Sequence, residues 1–382
     1  MIESNRSRLP DTGVTIFSRM TALANQHRAI NLSQGFPDFL VDSWLIDRVN
    51  HHMKAGQNQY APMQGVMTLR ERIAQKVRSL YQAEYDPATE ITVTSGATEA
   101  VFCAITASLQ PGDEAIVIEP AYDAYVPAIR LSHATTRFCA MRFPDYRINW
   151  NQVRDLISDR TRLIILNSPH NPTGAILNAD DIESLRQIVR DTPILIVSDE
   201  VYEHIIFDGQ RHLSLSSYPD LAERSFVISS FGKTYHATGW KMGYCLAPAR
   251  LSREFQKIHQ FVTFASNTPV QYALADMLDR PETYLGVSAF YQSKRDMFHQ
   301  LIRNSRFKIM PCSGTYFQML DYSAITDEPD ERFAQKMTVE HGVAAIPPSA
   351  FYSGMDDHHV LRFCFAKNDN TLTEAAGRLC AI

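Results

Sequence analysis

The chain has 382 residues, 45% hydrophobic and 21% charged, enough apolar material for a sizeable core and more than one domain. Its 37 basic and 42 acidic residues leave a net charge of −5, which argues against a nucleic-acid partner held by phosphate neutralisation. No stretch approaches the roughly 18 uninterrupted apolar residues of a membrane-spanning helix, and the start, MIESNRSRLP, has no apolar core of signal-peptide type.

In chain order, the first clear element lies in ITVTSGATEA. A short β-branched strand meets a turn at Ser95-Gly96, and a helix follows with Val101, Ile105 and Leu109 on one face, stopped by Pro111-Gly112. EAIVIEP reads as the next strand and TRLIILNSP as another. A helix is predicted from near Asn178, with Asp180 and Asp181 in its first turn and Ile182, Leu185, Ile188 and Val189 facing inward. PILIVSDEVY and SFVISSFGK are two more continuous apolar runs of strand length. Strands apolar on both faces, alternating with helices, predict an α/β fold with a mostly parallel sheet covered on both sides. Beyond about residue 270 the pattern becomes a long helical stretch and then an α+β mixture, read as a second domain completed by the N-terminal segment. The six cysteines show no C-x-x-C pair, so reduced, mostly buried thiols in a cytoplasmic protein are expected.

Polar residues collect where the strands finish: Ser95-Gly96, Glu119-Pro120, Asn167 to Asn171, Asp199 and Ser230. In open α/β sheets the ligand crevice lies just outside the carboxyl ends of the strands. Lys233 sits there too, in Gly232-Lys233-Thr234, which looks like the end of a phosphate-binding loop. That loop needs a glycine five residues before Gly232, and the residue there is Val227, so the loop reading fails. A lysine at the end of a buried strand is instead placed where desolvation frees its amine. Gly96-Ala97-Thr98 opens a helix whose amides form an anion site, Asp199 is a rim carboxylate that needs a partner, and NSPHNPTG places two asparagines in a rigid turn. Anion site, acid, amide and amine together match the needs of pyridoxal phosphate (PLP). The adjacent pairs His51-His52 and His358-His359 point apart, so no metal site is expected. His236 is placed to shape the pocket but needs no such role.

SGATEA, EPAYDAY, NSPHNPTG, SDEVYE, SFGKTYHATGWKMGY and LRFCFAK, in this order, resemble the fold type I PLP-dependent aminotransferases (class I/II) over nearly the whole chain. NLSQGFPDF and NQYAPMQG look most like the branch of methionine aminotransferases and kynurenine/glutamine transaminase K enzymes. The resemblance implies a seven-stranded, mostly parallel sheet in a large PLP-binding domain (40–275) and a smaller α+β domain (1–39 and 276–382). It implies that Lys233 links covalently to the cofactor and then acts as the base, that Asp199 pairs with the pyridine nitrogen, and that Tyr202 and Asn171 bond the ring oxygen. Tyr122 would stack on the ring. Gly96, Ala97 and Thr98 would hold the phosphate with Ser230 and Lys241, where relatives often carry arginine, and Tyr60 would reach the partner subunit's phosphate in a homodimer with shared sites.

By the same resemblance Arg362 receives the substrate carboxylate, with Gly35 and Asn167 beside it, and Ile16, Phe17, Phe264 and Asn267 face the side chain. No arginine offers itself for a second carboxylate, which favours methionine, aromatic residues or glutamine over aspartate as amino donor, with a 2-oxo acid as acceptor. The alternative is β-elimination at cysteine conjugates or cystathionine by the same lysine. A non-enzymatic regulator on an aminotransferase-like domain would need an added DNA-binding segment, and only about thirty residues precede NLSQGFPDF.

Overall fold

The computed structural model describes residues 7–382. Seven strands form one sheet in the order Ile91–Thr94, Gly243–Leu246, Ser225–Ser230, Leu195–Asp199, Thr161–Asn167, Glu114–Glu119, Thr135–Ala140. Gly243–Leu246 runs antiparallel to both neighbours and every other pairing is parallel. The central runs are apolar at successive positions because both faces are covered. Ile164, Ile196 and Val227 enter one core, while Leu163, Ile165, Val197, Phe226 and Ile228 enter another on the opposite face. Ala97–Ser108 packs on the second face with Ala249–Val262, and Ala179–Val189 on the first. Asn178 caps Ala179–Val189 through a reciprocal box with Asp181, holding the entry angle of that helix.

Five of these strands are the apolar runs read from the sequence. Thr135–Ala140 is an edge strand that opens Thr-Thr-Arg and is mostly half-buried, so its pattern is weak. Gly243–Leu246 follows directly on the glycine-, lysine- and tryptophan-containing loop after Lys233, which masks it.

A third core unites Ile16, Met20 and Leu32 with Val201, Tyr202, Ile205 and Phe207 and with residues from Val287 to Leu379. There Phe317–Asp321 lies antiparallel between Lys308–Ile309 and Val360–Cys364, and Ile30–Asn31 pairs in parallel with Val343–Ala344. The N-terminal segment thus packs into the C-terminal part; residues 1–6 of the expected small domain lie outside the described residues. No helix among the described residues is long and apolar enough to cross a membrane.

Candidate active site

Register places the strand ends side by side. Asn167 pairs with Asp199, Asp199 with Ile228, and Ser230 with Gly243, so their side chains share one rim of the sheet. A cavity of about 310 Å3 opens there. Lys233 enters it from the short helix Phe231–Thr234 that follows strand Ser225–Ser230 without a loop. Its Nζ lies 5.5 Å from the ring centre of Tyr202, donates to the Tyr316 hydroxyl at 3.1 Å, and reaches the Gly35 carbonyl at 3.5 Å. Burial pulls the amine down to about 8, against the opposing pull of Cys364 and Asp199.

Asp199 is buried, and burial raises its carboxyl above the usual range. Two donors oppose that rise: the Tyr125 hydroxyl at 2.6 Å and the Val201 amide at 3.3 Å. A relay of amides then crosses the site. Asn167 donates to the Asp199 carbonyl at 2.8 Å and accepts from the Asn171 amide at 2.8 Å, and Asn171 Oδ1 accepts from Arg362 at 2.8 Å. Among the described residues, Asn171 Nδ2 donates to no protein acceptor.

Arg362 is fully buried, with its guanidinium 3.9 Å from the ring centre of Phe317. It also donates to the Ser33 carbonyl at 2.7 Å, yet among the described residues its Nε has no partner. Burial lowers its pKa to about 10. A buried guanidinium with an unused donor is built to receive something that accepts.

The opposite end of the cavity is an anion cradle. Gly96 precedes helix Ala97–Ser108 at φ +80°, and no side chain caps that end. A Cβ on Gly96 would stand 3.3 Å from Lys241 Cε, so the lysine stem closes on the turn. Gly96, Ala97, Thr98, Ser230 and Lys241 all border the same space. Amides at a helix start, a hydroxyl and an ammonium make a phosphate site. With an amine and a carboxylate at the other end, the residues present fit PLP.

Of the other residues picked out by sequence, Tyr122, Tyr202, Gly35 and Phe17 also border the cavity. Ile16, Tyr60, Phe264 and Asn267 do not. Ile16 turns into the small core, and Asn267 caps helix Thr268–Leu278 by accepting from the Val270 amide. Tyr60, 87% exposed, and Phe264, 45% exposed, stack edge to face on the surface. His236 packs among Phe39, Phe290 and Tyr291. Sequence reading missed Tyr125, Tyr316, Gln34 and Phe317. For Tyr125 a signal existed: a buried strand-end acid needs a donor, and this tyrosine stands three residues after Tyr122. Among the described residues, Glu99, Cys103 and His259 form one compact group. Glu99 Oε1 is 2.7 Å from His259 Nδ1 and 3.0 Å from Cys103 Sγ, which are hydrogen-bond spacings with no room for an ion between.

A doubly covered α/β sheet with lysine, acid and anion cradle at its rim defines a PLP enzyme of fold type I. The chain matches the family described as "Aminotransferase class I and II" over residues 27–379. It is 52% identical to the methionine aminotransferase of Escherichia coli (strain K12) over 98% of this chain and 97% of that one. The crystal structure of the Escherichia coli protein YbdL, for which a methionine aminotransferase function has been identified, superposes with a TM-score of 0.97 at 51% identity, covering 99% of this chain and 100% of that one. The kynurenine–oxoglutarate transaminase of Dictyostelium discoideum is 32% identical over 96% of this chain and 94% of that protein. The chain belongs to the class I and II aminotransferases. It is a PLP-dependent transaminase.

Proposed function

We propose that the chain moves the amino group of methionine, and of related apolar and aromatic amino acids, to a 2-oxo acid in two half-reactions at one site. The observation that carries this reading is the lining of the cavity. Among the described residues around it, Arg362 is the only arginine, and the walls beside it are Phe17 and Phe317. One guanidinium serves the α-carboxylate, and an aromatic wall suits an apolar side chain. Apolar recognition discriminates by only about 1–3 kcal/mol per methylene, so several donors are expected. The similarity to a methionine aminotransferase supports methionine among them.

PLP, when bound, supplies a carbonyl carbon for an amine and a cationic ring that withdraws electrons from the substrate Cα. Lys233 would hold that carbon and, once released, would take the proton from the substrate Cα at its Nζ and deliver it to the carbon it had held. Asp199, kept in place by Tyr125 and Val201, pairs with the ring nitrogen. Tyr202 and Asn171, through its Nδ2, would bond the ring oxygen. Tyr122 covers the ring face. Gly96, Ala97, Thr98, Ser230 and Lys241 hold the phosphate, Lys241 as a point charge without a bidentate fork. Arg362 orients the α-carboxylate, with Asn167 and Gly35 beside it.

The large unit (40–275) and the small unit (1–39 with 276–382) are proposed as the working division, supported by a core that joins N- and C-terminal residues and meets the large unit at Val201, Tyr202, Ile205 and Phe207. A homodimer with shared sites is supported by the exposed Tyr60–Phe264 pair. A cytoplasmic setting suits six free thiols, five of them buried. A panel of amino donors crossed with 2-oxo acids tests the reading: methionine and aromatic donors should give their 2-oxo acids. Release of pyruvate and ammonia from cysteine conjugates faster than amino transfer would move the assignment to a β-lyase.

A further inference from the structure

Tyr316 touches the reacting nitrogen although nothing in the chain's motifs pointed to it. Its hydroxyl lies 2.5 Å from the Gly35 carbonyl and 3.1 Å from Lys233 Nζ. A phenol has one hydrogen to give, and a carbonyl can only accept. That hydrogen therefore goes to Gly35, and the lysine must donate to the phenol oxygen. The Gly35 carbonyl, 3.5 Å from Nζ, lies on the same side. A neutral amine has two N–H bonds and one lone pair. With both hydrogens turned towards Tyr316 and Gly35, one position on Nζ is left for the lone pair.

The tyrosine itself has little freedom. It is fully buried, its ring meets Tyr202 at 5.1 Å, Tyr291 at 5.5 Å and Phe317 at 5.0 Å between centres, and its carbonyl accepts from the Phe365 amide at 3.0 Å. The preceding Thr315 stands at φ +66° with its amide bonded to the Ile205 carbonyl, so the turn that presents Tyr316 is fixed as well. Burial raises the Tyr316 phenol, which stays neutral and keeps its hydrogen on Gly35.

Building on the transaminase reading above, we propose that Tyr316 is a positioning residue for the base: with the Gly35 carbonyl it holds the free Lys233 amine so that its lone pair points at the substrate Cα. The acceptors come from the C-terminal part and the N-terminal segment, whereas the amine comes from the large sheet. The base is therefore aimed only when those segments are seated together.

Tyr316→Phe deletes one oxygen and keeps the ring and its packing. General-base catalysis contributes about 10²–10⁴-fold, so a base left free to rotate should lower kcat by about 10-fold. KM for the amino donor should stay within about twofold, because the substrate contacts remain. The isotope effect with an α-deuterated donor should rise, since proton transfer becomes more limiting. A readout without cofactor or turnover accompanies this: competitive acylation of Lys233 in PLP-free protein, followed by peptide mapping. Loss of an acceptor disfavours the ammonium, so Lys233 in Tyr316→Phe should label faster at pH 7 than in the parent chain, relative to surface lysines. Unchanged labelling with unchanged kcat and isotope effect would overturn the proposal, and so would a raised KM with an unchanged isotope effect. If the parent chain itself transfers no amino group, the functional reading fails, and the labelling comparison still decides whether Tyr316 holds the amine.

Discussion

Arg362→Lys keeps the positive charge and removes the planar fork. Of the five N–H bonds of the guanidinium, one goes to Asn171 and one to Ser33, while Nε has no partner among the described residues. Binding of an α-carboxylate would use the remaining donors and relieve the buried Nε. Each hydrogen bond to a charged group is worth about 1.5–3 kcal/mol, which is roughly 10- to 100-fold in binding. A lysine offers one point of contact, so at least one such bond is lost, and kcat/KM should fall by about 10- to 100-fold. Because the α-carboxylate is common to all amino acids and 2-oxo acids, the loss should be the same for methionine, phenylalanine and glutamine. The assay is steady-state amino transfer with each donor at several fixed acceptor concentrations. A loss confined to one side-chain class would refute the reasoning and move Arg362 to the specificity pocket.

Lys233→Ala should retain PLP without a covalent link and stop turnover; normal turnover would falsify the role of the amine. In cofactor-free protein, acylation of Lys233 should rise with pH through a midpoint near 8, because the amine is protonated and unreactive below it and free above it. Asp199→Asn removes a charge that favours the ammonium, so that midpoint should move lower still; a move upward contradicts the electrostatic account. Gly243→Ala would set a Cβ 2.8 Å from the Ser229 carbonyl and 2.9 Å from the Ala97 amide. Neither backbone atom can give way cheaply, so PLP affinity, read by absorbance titration, should fall by about 10-fold, with stability lower by about 1–3 kcal/mol. If sites are shared, mixing Lys233→Ala with Tyr60→Ala chains should restore about a quarter of normal activity through hybrid dimers, since one site of each hybrid is intact. No recovery after subunit exchange would exclude sharing through Tyr60.

Much of the site was legible because its parts fall at the ends of strands that are apolar on both faces. The runs ending at Asn167, Asp199 and Ser230 announce a parallel sheet, and a parallel sheet puts its strand ends at one rim. Arg362 was readable from a family likeness, while its burial and its unused Nε needed coordinates. Tyr125 and Tyr316 escaped because each acts through another side chain across more than 70 residues of sequence, and no local pattern records such a partner. Tyr316 lies in GTYF, a segment that reads only as turn and strand. Ile16 and Asn267 show the opposite limit. Both stand near the right segments, but core packing and a helix cap account for their side chains.

The most direct test reduces the yellow holoprotein with borohydride and maps the labelled peptide. The account predicts loss of the visible band and one modified residue, Lys233 in SFGKTYH. A protein that takes up no PLP, or that carries the label on another lysine, would contradict it.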